Sequence, residues 1–162
     1  MAKITRVGYG QVEPNHLSAP RNGHVYAQLP AAKDINVLEQ GMFVKLDYVK
    51  KEANLTGAGP WYLVYNEEKL YDTRHQMHRD FALRKEDAVD GVIVPRVFGL
   101  EPGDIYTTNM VKAEDTYAAG DKLSVGADGI LAKASDGSGD FLVIAETTMP
   151  DGQPAVKIRK IA

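Results

Sequence analysis

The chain has 162 residues, a formal net charge of −3 and no cysteine, with 44% hydrophobic and 25% charged residues. This size suits one domain or two very small ones, and folding buries about 70% of the surface that the unfolded chain exposes. The acidic balance argues against a nucleic acid as partner, because proteins that bind nucleic acids carry a basic surface. The lack of cysteine excludes disulfide bonds and thiolate metal sites.

The sequence carries no signal for secretion or membrane insertion. The stretch MAKITRVGYG has no apolar core of the kind that a secretory signal needs. No apolar run approaches the roughly 18 residues of a membrane-spanning helix. We therefore expect a soluble protein that is made in a cytoplasm and has no membrane partner.

Residues 1–23, the N-terminal segment, differ from the rest because they show no sustained hydrophobic period. The run GYGQVEPNHLSAPRNG holds three glycines and two prolines, and such a segment buries little apolar surface alone. Two interpretations are open. The segment is either a partly disordered terminus or an extended arm that a partner orders, with contact points at Tyr9, His16, Leu17 and Arg21.

Strand patterns dominate the remainder of the chain. Alternating or continuous apolar runs predict strands at residues 24–29, 42–49, 61–66, 141–146 and 155–161. In MFVKLDYV, residues 42, 44, 46 and 48 share one face and residues 43, 45, 47 and 49 the other. GDIYTTN, at residues 103–109, predicts an edge strand and a turn.

Turn and helix signals complete the predicted fold. KLSVGADGILAKA predicts a hairpin whose turn is formed by residues 126–129. A short helix is expected in FALRKEDAVDG, where Gly91 would end it. The 15 glycines and 8 prolines favour a turn-rich all-β, mainly antiparallel fold with at most one or two short helices. We expect modules at residues 24–91 and 92–162, which can also pack as one domain.

Two parts of the chain echo each other at a spacing of 79 residues. GPWYLVYNEEKLYD follows an alternating strand in the first half, and GDFLVIAETTMPDG follows one in the second. The shift superimposes Gly41 on Gly120 and Leu63 on Leu142, among five identities over about forty positions. A repeated β module and a chance match between two β meanders both remain open.

The C-terminal module resembles a known family. AAGDKLSVGADGILAKASDGSGDFLVIAETTMPDGQPAVKIRKI runs as Gly-Asp, strand, turn, return strand, apolar strand and final alternating strand. This order is similar to the β-tulip modules of tailed-bacteriophage head decoration (capsid cement) proteins. The matching positions are Gly120-Asp121, Gly129, Leu131, Lys133-Ala134, Leu142 to Ala145 and Val156 to Ile158. VIVPRVFGLEPGDIYTTNMV, at residues 92–111, is also similar to a segment of phage virion structural proteins.

The resemblance implies β-tulip or barrel-like modules and a non-enzymatic capsid protein without a cofactor. Its expected place is the outer capsid surface of the virion, where it grips the major capsid protein and strengthens the mature head. Other copies of the chain, in a trimer or as neighbours on the shell, are further expected partners. Beside the contact points of the N-terminal segment, the candidate capsid-binding residues are Lys50, Lys51 and Trp61.

Each of these three residues also has an interpretation that involves no partner. Lys50 and Lys51 follow KLDY and fit either a solvated strand face or a contact with an acidic capsid surface. Trp61 opens an apolar strand and fits either core packing or a subunit contact.

Two other classes of function remain open at this point. The aromatic residues Trp61, Tyr62, Tyr65 and Tyr71 suit a carbohydrate- or receptor-binding module. DTRHQMHRD contains His75 and His78, which would share a helical face but not a strand face. A small metal hydrolase built on them needs a third ligand, from His16, His24 or a carboxylate. No HExxH, G-x-S-x-G or phosphate-binding glycine motif occurs.

Overall fold

A computed structural model describes residues 1–66, 81–113 and 115–162 of the chain. Its strands are β1 (Ala2–Lys3), β2 (Val12–His16), β3 (Val25–Tyr26), β4 (Val37–Glu39), β5 (Phe43–Asp47), β6 (Glu52–Asn54), β7 (Tyr62–Val64), β8 (Ala82–Arg84), β9 (Val97–Phe98), β10 (Ile105–Thr108), β11 (Thr116–Tyr117), β12 (Lys122–Val125), β13 (Leu131–Lys133), β14 (Phe141–Thr148) and β15 (Pro154–Lys160). One short helix, α1 (Ala19–Asn22), joins β2 to β3. The all-β prediction is confirmed, and within the described ranges no helix is long and apolar enough to span a bilayer.

The strands of the described ranges form two large sheets and two small ones. The first sheet has the order β3-β9-β7-β5-β6 and the second the order β13-β12-β14-β15-β10-β2. β4 pairs with β8, and β1 pairs with β11. Every pairing between named strands is antiparallel, and neither large sheet closes into a barrel. The predicted hairpin is β12 and β13, with Ser124 opposite Ala132.

Two predictions of local structure are wrong. The helix expected at residues 81–91 is β8 followed by two 3₁₀ turns, Lys85–Asp87 and Val89–Gly91. Pairing with β4 extends the chain there, and Asp90 at φ 56° interrupts any helical path. The edge strand expected in GDIYTTN is β10, which lies inside the second sheet because β2 covers its outer side.

The N-terminal segment is ordered by pairing within its own chain. β2 adds to β10, and β1 adds to β11. Ile4, Val12 and Ala19 are buried in the main core. The segment has no core of its own, but its isolated apolar residues fill places that the two large sheets provide. Residues 1–23 therefore lie along the body of the molecule.

The two large sheets are structural repeats. The strand order of the second sheet, apart from β2, reproduces that of the first. The order β3-β9-β7-β5-β6 of the first sheet corresponds strand by strand to β10-β15-β14-β12-β13 of the second. The first repeat thus includes β9, which lies beyond the expected boundary between residues 91 and 92. The echo at a spacing of 79 residues corresponds to a repeated topology.

Strand register and hydrogen bonding repeat as well. Phe43 lies opposite Leu63 in the first repeat. The residues at the same positions of the second repeat, Lys122 and Leu142, also lie opposite each other. Gly41 N–H donates to the carbonyl of Val64 at 3.0 Å, and Gly120 N–H donates to the carbonyl of Val143 at 2.8 Å. Both glycines have positive φ, 88° and 97°, a conformation that disfavours other residues.

The repeats pack through unlike faces. On β5, Phe43 enters the main core while Val44 enters a second core that lies on the other face of the first sheet. The residue equivalent to Val44 is Leu123, which points into the main core. The first sheet therefore has two buried faces. The face of Val44 packs on the second core, and the opposite face, with Phe43, packs on the second repeat. There the rings of Phe43 and Phe141 lie edge to face, with their centroids 5.4 Å apart.

Candidate partner-binding surfaces

A groove of about 410 Å³ opens beside the turn between β5 and β6. Its floor is residues 30–32, which are held from both sides. Ala31 N–H donates to the carbonyl of Ile93 and Ala32 N–H to that of Ala53, both at 2.8 Å. Ala53 N–H in turn donates to the carbonyl of Pro30 at 2.8 Å. These bonds fix three separate loops as one concave surface.

Four lysines and two carboxylates line this groove, which we call the lysine groove: Lys33, Lys50, Lys51, Lys85, Glu52 and Asp90. The Lys85 amino group donates to the carbonyl of Lys33 at 2.7 Å. The turn that carries Lys50 is held by Asp47, whose Oδ1 accepts the N–H groups of Val49 and Lys50 at 2.9 Å. The groove thus carries an excess of positive charge on a chain of net charge −3.

Exposed valines accompany the lysines. Val92 lines the groove and is 54% exposed. Val49 precedes Lys50 and is 93% exposed, and Val89 precedes Asp90 and is 85% exposed. The groove and its adjoining loops therefore expose apolar as well as basic side chains.

Trp61 lies at a separate cleft. Its half-buried ring packs against the main core, and the amino group of Lys45 lies 4.6 Å from the ring centroid. Phe141 and Lys160 line the same cleft, and the Lys160 amino group lies 4.8 Å from the Phe141 ring centroid. Trp61 therefore contributes to the core and leaves one edge at the surface, and cation–π contacts already engage both lysines.

None of the four contact points predicted in the N-terminal segment lines the lysine groove, but one of them borders it. Tyr9 is half-buried and lies in a cleft with Val37, Arg84 and Lys85, and Lys85 also lines the lysine groove. Leu17 is half-buried against the main core, while His16 and Arg21 are exposed at the end of β2 and in α1. Of the seven capsid-binding residues predicted from sequence, Lys50 and Lys51 line the lysine groove and the other five lie outside its lining.

The aromatic residues expected for carbohydrate binding lie on different faces of the first sheet. Trp61 and Tyr65 pack on the main core. Tyr62 packs on the second core, edge to face with Tyr26 at 5.5 Å, and burial raises the pKa of its hydroxyl. Tyr71 lies outside the described residues.

The histidine stretch cannot be placed, since His75 and His78 also lie outside the described residues. Elsewhere in the part of the chain that the structure describes, His, Asp and Glu side chains form no group of three or more that could hold a metal ion. The metal-hydrolase hypothesis stays a hypothesis.

Sequence reasoning missed Lys33, Lys85 and Val92. Lys33 lies far in sequence from Lys85 and Val92, and no period or motif links them to one another or to Lys50 and Lys51. The parallel bridge between Ala31 and Ala53 brings the loop of Lys33 beside the turn that carries Lys50 and Lys51, and the hydrogen bond from Ala31 N–H to the carbonyl of Ile93 brings it beside Val92. A pattern within one strand or helix carries no trace of such a bridge.

Comparisons with known proteins give no family for this chain. No protein-family model, no curated protein and no solved structure matches it.

Proposed function

We propose that this protein is a non-enzymatic capsid decoration protein of a tailed bacteriophage, which binds the major capsid protein on the outer shell and stabilises the mature head. One observation carries the proposal. The module whose sequence resembles decoration proteins, residues 118–161, belongs to a fold that the chain contains twice with one topology and one strand register. Both large sheets of the body therefore share the strand order of the module that carries the resemblance.

The physical basis is mass action. A protein that binds only the assembled shell lowers the free energy of that shell relative to its dissociated subunits. Many copies act on one head, and each can bridge neighbouring subunits, so a modest affinity per copy is sufficient.

The body has the order that this role requires. The two repeats share the main core through Phe43 and Phe141, and β1 and β2 tie the N-terminal segment to the second repeat. A surface that is already ordered loses little conformational entropy on docking. Lys50 and Lys51 offer the basic contact that an acidic capsid surface would meet.

Co-sedimentation with purified heads tests the proposal. We expect the full-length protein to sediment with mature, undecorated heads and to raise the temperature at which those heads lose their contents. Immature heads, whose lattice differs, serve as a comparison. If the protein binds neither head form, the proposed function is wrong.

The N-terminal segment needs point variants in the same assay. Deleting residues 1–23 would remove Ile4 and Val12 from the core and β2 from its sheet, so loss of binding would report unfolding. The double variant His16→Ala with Arg21→Ala changes only exposed side chains. Weaker co-sedimentation than for Lys122→Ala, an exposed control on β12, would assign these residues to the contact.

A further inference from the structure

The second repeat has a groove at the place that corresponds to the lysine groove. The bridge between Ala31 and Ala53 has its counterpart in the bridge between Val111 and Leu131. A groove of about 400 Å³ lies beside that second bridge. The two grooves are therefore built by the same part of the repeated fold, and their side chains can be compared position by position.

The comparison shows that Lys33 and Lys85 are not required by the fold. Arg84 pairs with Val37 in the first repeat, as Lys3 pairs with Thr116 in the second. The next residue along is Lys85 in one repeat and Ile4, buried in the main core, in the other. Residue 33 is two positions beyond the first bridge and is a lysine, while the residue two positions beyond the second bridge is Ala113. The same backbone accepts small or apolar side chains here.

The lysines of the groove also lack acidic partners within the described part of the chain. No described carboxylate lies within 4.0 Å of the amino groups of Lys33, Lys50 or Lys51. In the second repeat, Lys112, Lys133 and Lys160 pair with Asp128, Asp121 and Asp140, whereas Lys122 and Lys157, which lie on two different strands, have no described carboxylate within 4.0 Å. Unpaired like charges on one concave surface repel each other, and a negatively charged partner relieves that repulsion.

The exposed valines indicate the class of the partner. Val92 inside the groove, with Val49 and Val89 exposed in the adjoining loops, offers apolar contacts that a phosphate backbone cannot use. A protein segment that carries both carboxylates and an apolar side chain satisfies the lysines and the valines together.

We propose that the lysine groove binds an acidic segment of a partner protein, in which glutamate or aspartate residues flank an apolar side chain seated beside Val92. The identification of that partner as the capsid protein rests on the proposed function, whereas the chemistry of the groove does not. The second groove has two basic residues, Lys3 and Arg6, beside the apolar Ile4, Val111, Ala113 and Ile130. Arg6 is already paired with Glu39 at 3.2 Å, so we expect this groove to bind such a segment less tightly.

A peptide titration tests the groove without heads. The probe is a short synthetic peptide of glutamates that flank leucine, added to ¹⁵N-labelled full-length protein and followed by amide chemical shifts. We expect the perturbed amides to lie at residues 31–33, 50–52 and 91–93. A peptide with glutamine in place of glutamate, and a single-stranded DNA of matched charge, are expected to perturb these amides far less.

Charge reversal gives the quantitative test. Lys33→Glu with Lys50→Glu changes two exposed side chains and is expected to weaken peptide binding at least about tenfold, as for charges that face a complementary partner. The matched control, Lys3→Glu with Lys122→Glu, makes the same change in net charge on exposed residues outside the lysine groove and is expected to weaken binding less than about twofold through long-range fields.

Three results would overturn the inference: equal losses in both double variants, perturbed amides spread over lysines of the whole surface, or DNA binding as tight as that of the peptide. The two proposals fail separately. Peptide binding at the groove with no binding to any head form removes only the capsid function. Binding to heads that the Lys33→Glu and Lys50→Glu changes leave intact removes only the identification of the groove's partner as the capsid protein.

Discussion

The two repeats share topology, register and even single hydrogen bonds, yet they bury different side chains. Phe43 is buried in the main core, and the equivalent residue of the second repeat is Lys122, which is exposed. The reason is that the two sheets are buried differently. Around β5 both faces of the first sheet are buried, whereas around β12 one face of the second sheet is buried and the other faces solvent. The backbone hydrogen bonds recur in both repeats because they depend little on which side chains are present. The side chain at each position instead depends on whether the surrounding structure buries it.

The largest expected change in stability concerns two leucines that occupy equivalent positions in the two repeats. Leu63 is fully buried in the main core, and Leu142 is half-buried on the open face. Leu63→Ala should lower the free energy of unfolding by about 2–5 kcal/mol, and Leu142→Ala by roughly half as much or less, because less apolar area leaves water. Urea unfolding measures both. Equal losses of stability would contradict the conclusion that Leu63 is buried more completely than Leu142.

The two glycines of the echo give the next test. A Cβ on Gly41 would lie 2.6 Å from Cβ of Met110 and 2.8 Å from Oγ1 of Thr108, while a Cβ on Gly120 would meet nothing within 4 Å. Both substitutions incur the cost of a positive φ, about 1–2 kcal/mol. Gly41→Ala adds a steric clash of about 1–3 kcal/mol.

Thermal and urea unfolding of Gly41→Ala and Gly120→Ala therefore separate local backbone strain from tertiary packing. We expect the Gly41 variant to be the less stable of the two. A Gly120 variant that is equally destabilised would mean that the shared backbone, and not the neighbouring Met110, sets the cost.

The smallest expected effect is a dependence on pH that belongs to one repeat. Asp121 accepts hydrogen bonds from Lys133 and from the N–H of Ala118, both at 2.8 Å, and the bond from Lys133 lowers the pKa of Asp121 below its ordinary value of 3.8. At the equivalent position Met42 has only its sulfur facing the N–H of Glu39, at 3.4 Å. Met42 cannot titrate, so this pH dependence is absent from the first repeat.

The sign follows from the lowered pKa. Ionised Asp121 stabilises the folded state above the unfolded value near 3.8, and this contribution is lost as the pH falls through 3.8 towards the lower folded pKa. Asp121→Asn keeps an acceptor for Ala118 and should cost at most about 1 kcal/mol at pH 7, since the pair is partly exposed. Below that pH window the variant and the wild type should unfold at the same denaturant concentration. A constant difference at every pH would mean that the charge plays no part.

The strand predictions succeeded where one strand carries its own signal. Alternation in MFVKLDYV correctly separates the face of Phe43 from that of Val44, and Gly126 to Gly129 correctly marks the turn between β12 and β13. The predicted helix near Leu83 failed because pairing with β4 overrode a weak helical pattern. The lysine groove was half predicted, since Lys50 and Lys51 are adjacent in sequence whereas Lys33 and Lys85 reach them only through the fold.

The sequence by itself determined the all-β class, the hairpin of the second repeat and the spacing of the echo, because alternation and turn residues act over a few neighbouring positions. Only the tertiary structure decided that the N-terminal segment belongs to the body, that β10 is an inner strand and that three loops form one basic groove. These features depend on pairings between residues far apart in the chain. Whether two strands pair depends on how much apolar surface each buries against the other, and a pattern within a few neighbouring residues does not contain that information.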